Sequence, residues 1–180
     1  MLLAANASKQ SRNMMNRYKA EWRHMIIRRA APEEAEQCWS IRNLSIREGC
    51  KSSYHTAVLE AWTPAAMPEN YRTVITENPF FVVEMPDAGL VATGYLDLLS
   101  ASVEAIFTLP DYVGRWLAGL VIETIKREAL KRGIKKLTLS STPNAQRFYE
   151  KHGFAFIKES RYASKLAQTD LRCIDMSIEL

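Results

Sequence analysis

The sequence predicts a mixed α/β (α+β) domain, with a mostly antiparallel central sheet, one parallel strand pair and helices packed on the sheet. Three observations predict it. Strand-like runs at 80–85, 90–99 and 103–109 follow one another with short turns between them, the pattern of an antiparallel meander. A helix-periodic stretch separates the third run from another at 134–140. Strand, helix and strand in that order make the two strands parallel neighbours. Two further runs, 154–159 and 172–179, supply the final strands.

Composition sets the frame. The chain has 180 residues, 47% apolar and 24% charged, which suits one globular domain with a real core. The net charge is +4, but it is unevenly placed. Residues 1–24 hold Lys9, Arg12, Arg17, Lys19 and Arg23 against Glu21 alone, so the rest of the chain is neutral. We therefore expect a flexible basic extension over 1–24 and a single domain over 25–180. A neutral body argues against nucleic acid as the partner; an arm at 1–24 is the one place for it. Cys38, Cys50 and Cys173 lie far apart with no CxxC, which points to no metal and a reducing, cytoplasmic setting. No apolar run nears ~20 residues, so no membrane span is expected. Met1–Ala5 carries no basic leader.

The elements follow in order. Met25–Ala30 reads as a first strand. Pro32 sits near a helix start, with Glu33, Glu34 and Glu36 where acids suit the dipole. Ala35, Cys38, Trp39, Arg42 and Ile46 recur at helical spacing to about Arg47, and Gly49 ends the helix. A second helix covers Tyr54–Trp62, and Glu69–Thr76 forms another turn or two. Phe80–Met85 is a strand by its aromatic and β-branched content. Pro86–Gly89 turns the chain into Leu90–Leu99, where Gly94 is a candidate bulge. Val103–Leu109 follows.

The next helix runs from about Arg115 to Arg132, with Ala118, Val121, Ile122, Ile125 and Ala129 on its apolar face. Spacing pairs Glu123 with Arg127 and Glu128 with Arg132. Lys126, Arg127, Lys131 and Arg132 cluster near its C-terminus, where the dipole favours cations. Gly133 stops it. After the strand at 134–140, Thr142 and Pro143 open a short helix that ends at Gly153.

One stretch could carry chemistry. Between Ala105 and Leu120 an apolar run ends at Pro110, a turn carries Gly114, and a helix begins. The first amides of a helix lack intrahelical partners and lie at the positive end of its dipole. A phosphate can rest there on backbone alone.

The segments Phe107-Thr108-Leu109-Pro110-Asp111-Tyr112-Val113-Gly114-Arg115-Trp116-Leu117-Ala118 and Asn144-Ala145-Gln146-Arg147-Phe148-Tyr149-Glu150-Lys151-His152-Gly153-Phe154 carry a family likeness. From about Met25 to Leu180 the chain resembles the GNAT superfamily of acyl-CoA-dependent N-acetyltransferases. The first segment is similar to the family's Q/R-x-x-G-x-G/A loop and the second to its N-A-x-x-F-Y-x-x-x-G-F segment. Two positions depart from the pattern: Val113 replaces a Gln or Arg, and Trp116 stands where a glycine lets backbone approach a pyrophosphate.

The resemblance implies a splayed parallel strand pair, helices on both sheet faces, and acetyl-CoA as co-substrate. It implies an acceptor that is a small-molecule or peptide amine, and final strands able to form a homodimer. The cofactor-binding residues it implies are Ile106, Phe107 and Thr108, which would bind the pantetheine amides. Gly114, Arg115, Trp116, Leu117, Ala118 and Gly119 would bind the pyrophosphate, and Asn144 and Tyr149 would line the arm. Asn144 can equally serve the helix start. Tyr149 matches the family's general acid, and a phenol of pKa ~10 can protonate a departing thiolate; packing alone is the other reading.

An alkyl amine has pKa ~10.4 and needs a base. Glu104 interrupts an apolar strand and is expected on the face of Ile106 and Thr108, aimed into the cleft. Asp97 is its rival. Tyr54, Trp62 and Tyr95 are candidates for the acceptor pocket, and His55 and His152 read as surface residues. An amide of the 106–108 strand would stabilise the oxyanion. Acetyl transfer to a primary amine by direct attack is the leading expectation. A non-catalytic acyl-CoA-binding or regulatory module, suggested by Val113 and Trp116, is the alternative.

Overall fold

The computed structural model describes residues 24–180, so the extension expected over 1–24 lies outside the described residues except for His24. The described elements are β1 (Ile26–Arg29), α1 (Ala35–Gly49), α2 (Thr56–Trp62), α3 (Tyr71–Glu77), β2 (Phe80–Met85), β3 (Gly89–Asp97) and β4 (Ser102–Thr108), then α4 (Leu117–Lys131), β5 (Lys136–Ser141), α5 (Gln146–Lys151), β6 (Ala155–Ser164) and β7 (Thr169–Glu179). The strands form one sheet in the order β1-β2-β3-β4-β5-β7-β6. Every neighbouring pair is antiparallel except β4 and β5. The predicted meander and parallel pair are therefore present.

Helices cover both faces. On one, Val121, Ile122, Ile125 and Ala129 of α4 pack on Val83, Ala92, Leu96, Val103 and Leu137. On the other, Cys38 and Ile41 of α1 and Ile75 of α3 pack on Phe80, Val82 and Leu90. Fully burying a side chain of this size contributes roughly 1.5–3 kcal/mol, so the two layers fix the sheet from both sides. At Gly94 the fit is tight. A Cβ there would fall 2.4 Å from Ile106 Cδ1 and 2.6 Å from Val121 Cγ1, so β3 passes beneath α4 only without a side chain at that position.

The irregularity expected at Gly94 belongs to its partner strand. Thr93 pairs with Phe107 and Tyr95 with Glu104, so Ala105 and Ile106 together face Gly94. The extra residue, Ala105, has φ 54°, and its carbonyl accepts a hydrogen bond from Thr93 Oγ1 at 3.1 Å. This bulge reverses the pleat along β4.

Three other details differ from the sequence reading. Glu123 pairs with Lys126 at 2.8 Å, not with Arg127, whose Nε donates to the Glu123 carbonyl instead. Glu128 and Arg132 pair as predicted. Thr142 occupies the cap position, but its side chain makes no capping bond. The last two strands extend past the expected limits, to Ser164 and from Thr169, because they pair with each other along their whole length.

Candidate active site

The parallel pair is joined at one point. Ser102 pairs with Thr138, and the Thr138 amide donates to the Ala101 carbonyl at 3.2 Å. Beyond it β4 and β5 separate, while β5 keeps its full ladder with β7. The β4 edge from Glu104 to Thr108 is thus unpaired on the β5 side, the geometry on which an extended ligand can add as a strand does.

The loop after β4 leads into α4. Pro110–Tyr112 forms a 3₁₀ turn, Gly114 has φ 80° and Trp116 has φ 68°. The first bond of the helix joins the Leu120 amide to the Trp116 carbonyl at 3.0 Å. The amides of Leu117, Ala118 and Gly119 therefore precede any intrahelical partner. Trp116 takes the left-handed conformation that glycine ordinarily supplies. Trp116 is 85% exposed, so its ring is not packed into the core. The Leu117 side chain turns into the core. Gly119 meets α5: a Cβ there would fall 2.8 Å from His152 Cε1. Arg115 stacks its guanidinium 4.7 Å from the centroid of the Tyr112 ring.

The bulge corrects the placement of Glu104. Glu104 does not share a face with Ile106 and Thr108. It lies with Phe107 on the α1 face, while Ile106 packs in the α4 core. Phe80, Tyr95 and Glu104 are successive cross-strand partners and form one row across β2, β3 and β4. Tyr95 stacks on Phe80 with ring centroids 5.3 Å apart.

The Glu104 carboxyl accepts a hydrogen bond from Ser102 Oγ at 2.6 Å. Burial pushes its pKa above the usual carboxylate range. The Ser102 bond opposes that shift and nearby Asp97 adds to it. Asp97 itself accepts from the Leu99 and Ser100 amides at 2.8 and 3.0 Å, which commits its carboxylate to the β3–β4 turn.

From the β5 side comes Tyr149, on α5. Its ring packs edge-on to Phe148 and Phe154. The ring keeps partial exposure although protein atoms crowd around its hydroxyl. Burial raises that hydroxyl well above the ordinary phenol, with Glu104 and Cys50 adding to the effect. The hydroxyl makes no hydrogen bond to another described residue and is not sealed from solvent. Tyr149 and Glu104 are thus brought close enough for their charges to couple.

Asn144 turns toward the α1–α2 loop, where its Oδ1 accepts from Ser53 Oγ at 3.3 Å. The Cys50 thiol lies near it and Thr142, and burial holds that thiol above its ordinary pKa. Tyr54 donates to the Arg172 carbonyl at 2.6 Å and meets Trp62 edge-on at 5.6 Å. His55 is exposed. His152 is less of a surface residue than expected: its ring sits 4.7 Å from that of Phe148, and Nδ1 lies 3.5 Å from Glu123.

The sequence reading missed Arg42. It lies in the apolar stripe of α1, 8% exposed, with its guanidinium 4.4 Å from the Trp39 ring and 5.8 Å from the Trp62 ring. The cue was an arginine inside an apolar stripe with no acid three or four residues away.

Comparison with known proteins supplies the family. A family model described as an acetyltransferase (GNAT) domain matches residues 46–180. The chain belongs to the GNAT acetyltransferase family. It is an acyltransferase enzyme of that family. No curated protein sequence matches it. Solved structures share the GNAT fold. A GCN5-related N-acetyltransferase from Rhodopseudomonas palustris is 23% identical with a TM-score of 0.78, covering 86% of this chain and 95% of its own. The PaiA N-acetyltransferase of Thermoplasma acidophilum, in complex with coenzyme A, is 17% identical with a TM-score of 0.69, covering 87% and 99%. YncA of Salmonella typhimurium, solved with its cofactor acetyl-CoA, is 16% identical with a TM-score of 0.64, covering 87% and 94%. Among the described residues of this GNAT domain, no helix is long and apolar enough to cross a membrane.

Proposed function

We propose that the protein transfers an acetyl group from acetyl-CoA to the primary amine of a small-molecule or peptide acceptor, by direct attack in a ternary complex. The parting of β4 and β5 after their single paired position carries this reading, because it opens an unpaired strand edge beside the first turn of α4. Ile106, Phe107 and Thr108 hold the pantetheine arm along that edge. The pyrophosphate lies over the loop from Gly114 to Gly119, on the amides of Leu117, Ala118 and Gly119. The exposed indole of Trp116 is not fixed in the core and is free to turn from this approach. Asn144 borders the arm from the far side.

The amine nitrogen attacks the thioester carbon, forming the N–C bond. The negative charge gained by the carbonyl oxygen is met by an amide of the 106–108 strand. Collapse breaks the C–S bond, and the thiolate takes the Tyr149 hydroxyl proton. Glu104 takes the ammonium proton before attack and releases it to solvent; the proton the nitrogen sheds once the N–C bond has formed passes through Glu104 to the Tyr149 phenolate. A carboxylate lifted toward neutrality is the better base for an amine. Cys50 is nearby, but burial keeps its thiol protonated, which favours direct attack over an acyl-cysteine route. Three buried free cysteines suit a cytoplasmic, reducing setting.

The test is purified protein with acetyl-CoA and a panel of amines. One free CoA thiol per N-acetylated amine is expected, and thiol release without any acetylated amine would sink the proposal.

A further inference from the structure

Resting on that reading, we infer that the acceptor is an amine carrying a carboxylate, and that Arg42 is the residue that selects it. Arg42 is a positioning and specificity residue for the acceptor; it does not touch the reacting bond.

Charge singles out Arg42 first. Arg42 is buried, yet among the described residues it pairs with no carboxylate. A buried cation with no counter-charge is costly. The protein supplies only part of what a guanidinium needs. Nη1 donates to Asn43 Oδ1 at 2.8 Å and to the Trp62 carbonyl at 3.0 Å. Nε and Nη2 bond to no described residue, and neither is sealed from solvent. The two indoles clamp the fork in one orientation. The enclosed hydroxyl of Tyr71 beside it has no hydrogen-bond partner among the described residues either.

A purely structural strap would not need this arrangement. Trp39 Nε1 and Asn43 Nδ2 already bind the Pro64 carbonyl at 3.0 and 2.8 Å, and Arg47 binds Thr63 twice. The α2–α3 loop is therefore held with or without the unbonded nitrogens of Arg42.

Its position points the same way. Trp39 meets Tyr71, Tyr71 meets Phe80 and Phe80 meets Tyr95, and Tyr95 faces Glu104 across the strands. Arg42 and Glu104 thus address the same side of the sheet, joined by a run of aromatic rings. The Tyr162 hydroxyl is an electrostatic neighbour of both Arg42 and Tyr95. A molecule long enough to run along these rings, with its amine at Glu104, can set a carboxylate on the open N–H edge of Arg42, the bidentate match of fork and carboxylate. One guanidinium balances one negative charge, which fits a carboxylate better than a phosphate dianion. The same cation repels acceptors that carry a second positive charge.

The experiment uses amino acids of graded length, from α- to ω-amino acids, and their carboxamides as matched acceptors, on the intact protein, Arg42→Lys and Arg42→Gln. The acid is expected to exceed its amide in kcat/KM in the parent enzyme. Arg42→Gln should lower kcat/KM for the acid by about tenfold or more through a raised KM, leaving the amide and acetyl-CoA values within about twofold. Arg42→Lys, which keeps the charge without the fork, should fall between. Equal loss for acid and amide would mark Arg42 as structural and overturn the inference. If no amine is acetylated, binding decides it. N-acetyl amino acids, but not their amides, should bind the parent protein by calorimetry and not Arg42→Gln. Binding that ignores the substitution, or no binding at all, overturns the inference. Arg42-dependent binding without turnover removes only the acetyl-transfer reading.

Discussion

Ser102 donates its hydroxyl hydrogen to Glu104 Oε1 across 2.6 Å, from two positions earlier on the same strand. The bond favours the ionised carboxylate and partly offsets the burial that raises its pKa. Ser102→Ala removes that offset. The acidic limb of the kcat/KM profile should move to higher pH, with the plateau unchanged. A pH–rate profile of both proteins checks this.

Glu104 also makes stability depend on pH. Its folded pKa is raised, so between the ordinary carboxylate value and the raised one the folded state keeps a proton that the unfolded chain has released. Stability falls as pH rises through that window. Glu104→Gln abolishes the dependence. The variant should melt above the parent at neutral pH, with the gap closing as pH drops below the ordinary range of about 4. Thermal melts across that range read the result.

Tyr149→Phe deletes only the hydroxyl that has no hydrogen bond to another described residue. If Tyr149 protonates the thiolate, kcat should fall by about a hundredfold or more while KM for acetyl-CoA stays put. Unchanged turnover would assign the proton to another group.

Trp116→Gly relieves a left-handed residue whose ring is already in solvent. Relief of about 1–2 kcal/mol is partly cancelled by the greater freedom of unfolded glycine, about 0.5–1 kcal/mol. Chemical denaturation should show a gain of up to about 1.5 kcal/mol. Affinity for acetyl-CoA should hold or improve.

Gly94→Ala forces a methyl between Ile106 and Val121. Overpacking of this kind costs about 1–3 kcal/mol. Because Ile106 belongs to the unpaired edge of β4, coenzyme A affinity should weaken together with stability. Denaturation and calorimetry on the one variant test both.

The sheet was legible because its strands alternate or run apolar between clear turns, and α4 because its apolar residues repeat at helical spacing. Other features depend on contacts that no local pattern records. Residues 160–164 are mostly polar and exposed, yet they extend β6 because β7 offers them a ladder. Glu123 prefers Lys126 because Lys126 also reaches the His152 carbonyl at 2.6 Å, a tertiary tie that pulls its ammonium to that side. The tyrosine at 149 and the loop at 114–119 stood out by resemblance to a family. Arg42 did not, since helical spacing alone files it with the core. Whether the ring at 116 would point in or out was equally hidden, because it follows from one backbone angle.

The extra alanine at position 105 works as a frameshift in the pleat. Upstream of it, Glu104 looks toward the aromatic layer beneath α1; downstream, Ile106 plugs the layer beneath α4. Ironing out the bulge, with position 105 kept but brought into regular alternation, would leave the composition of β4 untouched, yet it would turn either the acid or the apolar anchor to the opposite side of the sheet. Either a carboxylate would press into a hydrocarbon layer or the layer beneath α4 would lose its plug. Excising Ala105 restores plain alternation and leaves both on their present sides, so in this enzyme acceptor chemistry and core integrity coexist only while one surplus peptide unit is looped out of the ladder.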